Sequence, residues 1–350
     1  QDIWRKDYLI RKLSDKKSQT NNFPTGSLNS LKKPDIRKQL LDFYNKYYTS
    51  NNISISIVSS KPIEEIYNII EKTFGYIVNS SSSNNITILK PFLTENLGKT
   101  FHLKSLINIY EVTWIWEIPY QDMYLNSKDF DILRLIIINK SENSIYFNLM
   151  NKGFLNYIDV TINYSGTFNI LLELSGEGYT NLEYVEAILF KGLNQIINKD
   201  FKLFVNYYKK LNKINFHSMN KFDSEDLCNL LAVNHHQYKT SYIFSGDYLI
   251  YEIKSNKQYR DLFTQYLNTD KCMKIILSQN YKNNNFDYKI LDEYFAEYAK
   301  VPNINTIKIS NSIVKELCCF DMTNEYSDVK IKLIKNLDKY DIPTEISKRQ

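Results

Sequence analysis

Residues Phe43–Ile57 read FYNKYYTSNNISISI, and this stretch decides the fold class. Its first half repeats apolar residues at helical spacing, which predicts an amphipathic helix. A short polar joint, Thr49–Asn52, follows. The strict alternation of Ile53–Ile57 then predicts a strand with one buried face. A helix, a joint and a strand in this order indicate an α+β module.

A second stretch, Phe263–Leu277 (FTQYLNTDKCMKIIL), repeats the same order 220 residues later. The repetition predicts two related α+β modules in tandem, with antiparallel sheets packed on helices and the first module truncated on its N-terminal side. Chance recurrence of a common pattern is the alternative.

The composition excludes several classes of protein. The chain has 350 residues, 43% of them hydrophobic, enough for two domains with their own cores. The net charge of +5 is spread along the chain, so we expect no nucleic-acid partner. No apolar run approaches the roughly 20 residues that a membrane span needs, so we expect no membrane partner. Four cysteines form no disulfide framework, which favours a reducing compartment such as the cytoplasm.

The domain boundary is predicted at a polar segment. Asn79–Asn85 (NSSSSNN) has no hydrophobic residue and is typical of a flexible linker. We therefore predict that residues 1–78 form the C-terminal part of a first domain, residues 79–100 a linker, and residues 101–350 a second domain with a helical tail.

Within each domain the pattern predicts further elements. In the first they are helices at 2–13, from Pro34 and from Pro62. In the second they are a strand at 110–118, a helical region at 127–150, a hairpin of 155–163 with 168–174, and helices up to residue 237. The pair Thr180 and Glu183 predicts a capping box. From Phe286 onward we expect partly helical structure.

The residues alone indicate no active site. Three or four ligands must converge to hold zinc, and the four histidines are not spaced for this. His235 and His236 are neighbours, and we expect His102 and His217 to be structural. The Gly-rich run Ser175–Gly178 lacks the phosphate-loop spacing, so we interpret it as a strand-to-helix turn.

Five segments, in unbroken order, are similar to the insulinase/pitrilysin family of zinc metalloproteases, and the resemblance covers roughly residues 1–280. They are Trp4-Arg5, Phe23-Pro24-Thr25-Gly26, Leu40–Tyr48, Ile118-Pro119 and Asn151-Lys152-Gly153-Phe154. Each segment is a weak motif alone, and their common order makes the resemblance specific.

The resemblance implies a place in a larger enzyme. Proteins of this family contain four homologous α+β domains that enclose a chamber, and an inverted His-x-x-Glu-His motif in the first domain holds zinc. That motif is absent from this sequence. We therefore expect a fragment of a zinc metalloendopeptidase that supplies chamber walls, begins in mid-protein, has no catalytic or metal-binding residue, and depends on zinc in the full-length parent. The alternative is a degenerate, non-catalytic member that binds peptides or acts as a scaffold subunit.

The resemblance also implies substrate-binding residues. Trp4 and Thr25 correspond to positions that wall the pocket, while Asp7 replaces an aromatic pocket residue and puts an apolar specificity in doubt. A turn and a strand edge correspond to an exosite that binds the peptide N-terminus by strand addition. The turn is Asn139, Lys140, Ser141, Glu142 and Asn143, and the edge is Ile158, Asp159, Val160 and Thr161.

The glycines of the exosite turn are replaced here, and only Asn143 tolerates the positive φ that they allow. We therefore expect an altered exosite. Peptide substrates and the remaining domains of the parent protease are the expected partners, and the exposed half-core of the first domain predicts self-association.

Overall fold

The computed structural model describes residues 1–22, 26–79, 89–120, 123–163, 165–219, 222–281 and 286–302. The helices in these ranges are α1 Asp2–Leu13, α2 Leu28–Leu31, α3 Ile36–Tyr47, α4 Ile63–Phe74, α5 Asp129–Ile137, α6 Ile145–Asn151, α7 Gly176–Thr180, α8 Leu182–Asn198, α9 Phe201–His217, α10 Ser224–Gln237 and α11 Asn256–Tyr266. The strands are β1 Thr100–Lys104, β2 Tyr110–Glu117, β3 Leu155–Asn163, β4 Thr167–Leu174, β5 Met273–Ser278, β6 Lys289–Ile290 and β7 Glu297–Val301.

These strands form one sheet in the order β3-β4-β2-β5-β1-β7-β6, so β3 and β6 are its edges. Neighbouring strands are antiparallel except β1 and β5, which are parallel. The predicted hairpin is present as β3 and β4, and Gly166 in its turn has φ 82°. The predicted α+β fold is confirmed, with one parallel pair as the exception.

One face of the sheet packs on the helices α5, α6 and α8. Trp114 and Trp116 of β2 are fully buried, and each packs edge-on against Phe190 of α8. On the same face, Lys274 Nζ of β5 lies 2.7 Å from Glu186 Oε1 of α8, and both side chains are buried. This buried ion pair joins the helix layer to the centre of the sheet.

The opposite face is covered by α1 over only part of its width. Tyr8, Leu9 and Leu13 of α1 are buried there. They pack against apolar residues mostly of β1 and β5, namely Phe101, Leu103, Ile115, Met273, Ile275 and Leu277. α1 lies over this half of the face, and among the described residues no helix covers the half formed by β2, β4 and β3.

The Arg5 guanidinium fixes the N-terminal end of α1. It donates to Asp2 Oδ1 at 2.7 Å and to the Lys104 carbonyl at the end of β1 at 3.0 Å. About one turn further along the helix, Tyr8 Oη donates to Asp292 Oδ1 at 2.7 Å. These contacts set the position of α1 on the sheet.

The helices predicted from periodicity are present, but the predicted capping box is wrong. An extra helical turn, α7, stands before α8 and is capped by Ser175, whose Oγ accepts from the Gly178 amide at 2.9 Å. Thr180 Oγ1 donates to the Gly176 carbonyl inside that turn instead of capping α8. Asn181 therefore occupies the N-cap position of α8, without a side-chain cap.

The predicted strand Ile53–Ile57 is extended but pairs with no strand among the described residues. Ile53, Ile55 and Ile57 are 37%, 45% and 45% exposed, respectively. A segment of alternating apolar and polar residues can pair as a β-strand, but its backbone hydrogen bonds form only where a partner strand is present. The flanking helices α3 and α4 are also exposed along their apolar faces.

The internal repeat is visible in the local structure. Each polar joint forms a 3-10 turn, at Ser50–Asn52 and at Thr269–Lys271, and each turn is followed by extended backbone. In the second copy α11 is partly buried and β5 is paired on both sides. The two copies therefore differ in their surroundings rather than in their element order.

The region after Phe286 differs from the prediction as far as it is described. Residues 286–302 contain β6 and β7 where partial helix was expected, and residues 303–350 lie outside the described ranges. The described residues all belong to one compact unit. The predicted linker contributes a buried residue, Phe92, to the core under α1. The domain boundary itself stays a prediction.

Candidate functional site

A groove with a volume of about 820 Å³ lies between α1 and the uncovered half of the sheet. This is within the range of roughly 300–1,000 Å³ that ligand-binding pockets occupy. One side of the groove consists of α1 residues, namely Ile3, Lys6, Asp7, Ile10 and Arg11. The floor consists mainly of strand residues, namely Thr113, Asp159, Thr161, Asn163, Thr167, Asn169 and Leu171.

The strand register explains why the floor is polar. Asp159 of β3 is opposite Leu171 of β4, and Thr161 is opposite Asn169. Following the second of these rows across the sheet leads through Ile115 of β2 to Met273 of β5, which lies beneath α1. The same face is thus apolar where α1 covers it and polar where it borders the groove.

Two ion pairs link the helical wall to its surroundings. Lys6 Nζ lies 2.5 Å from Glu111 Oε1 of β2, and Arg11 Nε lies 2.8 Å from Asp7 Oδ2 within α1. Arg11 also donates to the Asn22 carbonyl at 2.9 Å. Both cations that line the groove are therefore already paired.

The outer edge of β3 offers unpaired backbone groups. The Gly166 amide donates to the Asn163 carbonyl at 2.9 Å, so the Asn163 backbone points into the hairpin. Successive residues of an antiparallel strand point alternately toward and away from the partner strand. The outward N–H and C=O groups consequently belong to Ile158, Val160 and Ile162. Among the described strands, only β4 pairs with β3.

The predicted strand edge is thereby divided into two sets of groups. Ile158 and Val160 bury their side chains on the helix side and present their backbone at the open edge. Asp159 and Thr161 direct their side chains into the groove. A peptide along this edge would contact backbone groups of the first pair and approach side chains of the second.

The pocket residues predicted in the N-terminal segment do not all lie at the groove. Trp4 is 56% exposed and does not line the groove. Asp7, the residue that replaces an aromatic in the resemblance, does line it. Thr25 lies outside the described residues.

The predicted exosite turn keeps one feature of its glycine-rich counterpart. Asn143 has φ 65°, the left-handed conformation that asparagine tolerates best after glycine. The Ser141 amide donates to Asn139 Oδ1 at 2.7 Å, which closes the turn locally. Glu142 is mostly exposed, and Lys140 places Nζ 5.2 Å from the Tyr146 ring centre. Asn143 lies in a shallow cleft against α8, and the turn contributes no residue to the groove.

Sequence reasoning missed most of the groove. Lys6 and Arg11 of α1, and Asn169 and Thr113 of the floor, were not predicted as site residues. A signal for the floor was present, since the polar residues that alternate with the buried ones in β2 and β4 must share one face. The contribution of α1 depends on where that helix docks, which local patterns do not reveal.

The described residues contain no group of three or more His, Cys, Asp or Glu side chains that could hold a metal ion. His235 and His236 are adjacent on the last turn of α10, and His235 Nδ1 lies 2.6 Å from Ser54 Oγ. His102 is buried in the sheet.

Buried groups elsewhere have shifted pKa values without forming a pocket. Burial raises the pKa of the Cys272 thiol far above its usual value and raises that of Tyr259 to about 12. Burial also lowers the pKa of Lys128, whose ammonium donates to Tyr238 Oη at 2.7 Å. None of the helices in the described ranges has the length and apolar character required to cross a membrane.

Comparison with known proteins finds similarity to peptidases. The family model described as "Peptidase M16 inactive domain" matches residues 35–203. Insulin-degrading enzyme of Homo sapiens is 23% identical over 72% of this chain and 26% of its own length. Protease 3 of Salmonella typhimurium is 28% identical over 51% of this chain and 19% of its own length.

The fold is also found among solved structures. A crystal structure of pitrilysin superposes with a TM-score of 0.76 at 19% identity, covering 89% of this chain and 33% of that one. The first half of the periplasmic protease PqqL from Escherichia coli superposes with a TM-score of 0.59 at 10% identity, over 80% of this chain and 62% of its own. The chain spans about a quarter of the length of the insulin-degrading enzymes that it matches.

Proposed function

Because this chain belongs to the insulinase/pitrilysin family of peptidases, we propose that it forms a non-catalytic, peptide-binding wall of such a protease. It carries the region that the family describes as the inactive domain of M16 peptidases. The observation that carries the proposal is the open edge of β3, which runs beside the polar groove.

The proposed binding mode is strand addition. A peptide lying along β3 exchanges main-chain hydrogen bonds with the outward backbone of Ile158, Val160 and Ile162. Such bonds are independent of peptide sequence, while the groove beside them receives alternate side chains. A peptidase that accepts many peptides needs main-chain binding that is independent of sequence together with a limited preference for particular side chains.

Peptide hydrolysis belongs to other parts of the proposed protease. In this family zinc is expected in a His-x-x-Glu-His motif, which the four histidines of this chain do not form. When bound there, zinc activates the attacking water. This chain contributes binding and orientation of the peptide, and on this proposal residues 1–350 alone do not cleave it.

The remaining part of the protease is the proposed partner of α3, α4 and the extended segment Ile53–Val58. The apolar faces of all three are exposed, and the extended segment lacks a neighbouring strand among the described residues. In the second copy of the repeat the corresponding strand, β5, is central to a sheet. We therefore assign these elements to a second sheet that other parts of the parent complete.

A backbone substitution tests the binding mode. Val160→Pro removes an outward N–H, and proline is tolerated at an edge where that group faces solvent. The probe is a fluorescein-labelled twelve-residue peptide of Thr, Val and Ser, titrated with residues 1–350 and followed by fluorescence anisotropy. Losing one hydrogen bond should weaken binding roughly three- to tenfold, since such a bond contributes about 0.5–1.5 kcal/mol.

Val160→Ala is the matched control, because it also shortens the buried side chain but keeps the N–H. Binding by Val160→Ala close to wild type, with loss in Val160→Pro, supports strand addition. Equal affinity of the two variants, or no binding of the peptide to wild type, refutes it. Circular dichroism melts establish that both variants are folded.

The alternative function is that of a scaffold in a parent without activity. The replaced glycines of the turn at 139–143 favour it, although Asn143 retains the left-handed conformation. Zinc content and turnover of a quenched fluorescent peptide by the full-length parent separate the two proposals. Zinc-dependent turnover excludes the scaffold alternative.

A further inference from the structure

Helix α9 carries an exposed basic face. Its apolar side packs against α5, α8 and α11, and the helix lies apart from the groove, whose lining residues come from other parts of the chain. The helix has four lysines and no aspartate or glutamate, so its formal charge is +4, against +5 for the whole chain. The four lysines are Lys202, Lys209, Lys210 and Lys213.

These lysines have no partner of opposite charge. All four are exposed, and none of their ammonium groups has an ion pair or hydrogen bond among the described residues. The acidic residue next to the helix in sequence, Asp200, is its N-cap. The Asp200 carboxylate accepts from the Lys202 amide at 3.2 Å and from Asn256 Nδ2, so it caps the helix instead of pairing with an ammonium. The positive charge of α9 is therefore available to an external anionic group.

The exposed face also contains a seam with the spacing of a helix-packing surface. Four residues follow one another at intervals of four, three and four, namely Leu203, Tyr207, Lys210 and Ile214. This is the spacing at which one helix packs along another, and a single lysine in such a seam can fix the register of the pair. Leu203 is 63% and Ile214 38% exposed. The apolar members of the seam are thus only partly covered by their own protein.

The lysine row runs along one side of this seam. Lys202, Lys209 and Lys213 each stand one position before a seam residue, and together they span about 16 Å of the helix axis. On the other side of the seam the helix turns into the protein, where Phe204 is buried. In paired helices the charged residues that flank an apolar seam select the partner. The pattern fits a helix that has an apolar stripe with acidic residues beside it.

We propose that the exposed face of α9 is a docking surface for an acidic amphipathic helix of a partner protein. A nucleic acid would use the lysines but leave the apolar seam exposed. An interfacial membrane helix inserts its main apolar face into the bilayer, and in α9 that face is packed against the protein. The surface is separate from β3 and from the groove, so this inference goes beyond the proposed peptide binding and does not depend on it.

Two matched peptides test the docking. Both have 21 residues with leucine at the seam positions of three heptads, and the flanking positions are all glutamate in one peptide and all glutamine in the other. Each carries fluorescein, is kept at nanomolar concentration to avoid self-association, and is titrated with residues 1–350 by anisotropy. At about 50 mM NaCl we expect the glutamate peptide to bind about tenfold more tightly. This gain should shrink at high salt, because exposed ion pairs are screened.

Two triple variants show whether the lysine row is responsible for the gain. Replacing Lys202, Lys209 and Lys213 by glutamine removes the row, so the gain should fall to less than about twofold. Replacing the exposed lysines of other elements, Lys38, Lys72 and Lys239, by glutamine removes the same charge and should leave the gain unchanged. Leu203→Gln should weaken both peptides about threefold or more, because it removes an apolar contact. Circular dichroism melts establish that the variants are folded.

Equal binding of the two peptides by wild type overturns the proposal, as does a gain that persists without the lysine row or that the control triple removes as strongly. Vesicles of phosphatidylcholine with phosphatidylserine and a single-stranded RNA are tested in parallel. If loss of the row lowers binding of either while neither peptide binds, α9 recognises that polyanion and the proposal fails. If no probe binds, α9 is a solvated helix face, and the proposal fails too. The effect of Val160→Pro on the Thr/Val/Ser peptide tests the proposed function independently.

Discussion

At the scale of single residues, His102 is a group whose environment fixes its chemistry. It is fully buried, and its Nδ1 accepts from Tyr288 Oη at 2.7 Å. Its Nε2 donates to Ser278, whose carbonyl and hydroxyl oxygens lie 3.1 and 3.0 Å away. An imidazole with one acceptor nitrogen and one donor nitrogen is neutral, so His102 is uncharged. Burial is the main cause that lowers the pKa of His102 from 6.5 to about 4.

This shift predicts a loss of stability in mild acid. In the unfolded chain His102 binds a proton below about pH 6.5, whereas in the folded chain it remains neutral down to about pH 4. The free energy of unfolding therefore decreases as pH falls through this window, by roughly 3 kcal/mol in total. Urea unfolding at pH 7.0, 5.5 and 4.5 measures the decrease.

The variant His102→Gln cannot titrate, so its stability should depend less steeply on pH across the same window. His217→Gln, which changes an exposed histidine of α9, should retain the slope of wild type. A slope that is the same in all three proteins would contradict the assignment of the pH dependence to His102.

At the scale of elements, the short helix α7 depends on a close approach that one of its two glycines permits. A Cβ on Gly178 would lie 2.1 Å from the Phe154 carbonyl oxygen, a backbone atom that cannot move aside. A Cβ on Gly176 would meet nothing nearer than the Tyr110 ring at 3.8 Å. Glycine is thus required at the second position only.

Gly178→Ala should lower the free energy of unfolding by about 2 kcal/mol or more, because the clash forces α7 away from the start of β3. Gly176→Ala, two residues earlier, should be neutral or stabilising by up to about 1 kcal/mol, since alanine restricts the unfolded chain. Urea unfolding midpoints of the two variants provide the comparison. Similar destabilisation by both would show that the contact with Phe154 is not the cause.

The sequence could predict those elements that local pattern alone determines. The hairpin of β3 and β4 and the helices α1, α8, α9 and α10 follow from periodicity and turn residues, and all are present. The capping box at Thr180 failed because Ser175 starts a helical turn one step earlier. The open edge of β3 was anticipated through the family resemblance. The groove was not, because it arises from the docking of α1 onto strands that are distant from it in the sequence.

At the scale of the whole molecule, the two copies of the repeat show that similar elements are buried or exposed according to the neighbours around them. Phe263 of α11 is fully buried and β5 lies in the middle of the sheet. The matching Phe43 of α3 is 55% exposed, and Ile53–Ile57 lacks a neighbouring strand among the described residues. The sequence predicted the same elements for both copies, but only the second copy has a paired strand, because the partner that buries an element is not encoded in the element.

The exposed faces of α3 and α4 predict that residues 1–350 self-associate when isolated. Contiguous apolar surface of this kind is rare on monomeric proteins and favours association. Sedimentation velocity at micromolar concentrations should therefore detect species larger than a monomer. The triple variant Leu40→Glu, Phe43→Glu, Tyr67→Glu places charges on these faces and should shift the distribution toward monomer.

A matched triple variant distinguishes association through α3 and α4 from association through any exposed apolar residues. Leu203, Phe244 and Ile253 are about as exposed as the three residues above but lie outside α3 and α4. Their replacement by glutamate adds the same charge and should leave the association unchanged. If wild type sediments as a monomer over the whole concentration range, or if both triple variants dissociate it equally, the faces of α3 and α4 are not the association surface. Dissociation by the first variant alone would identify these faces as the association surface.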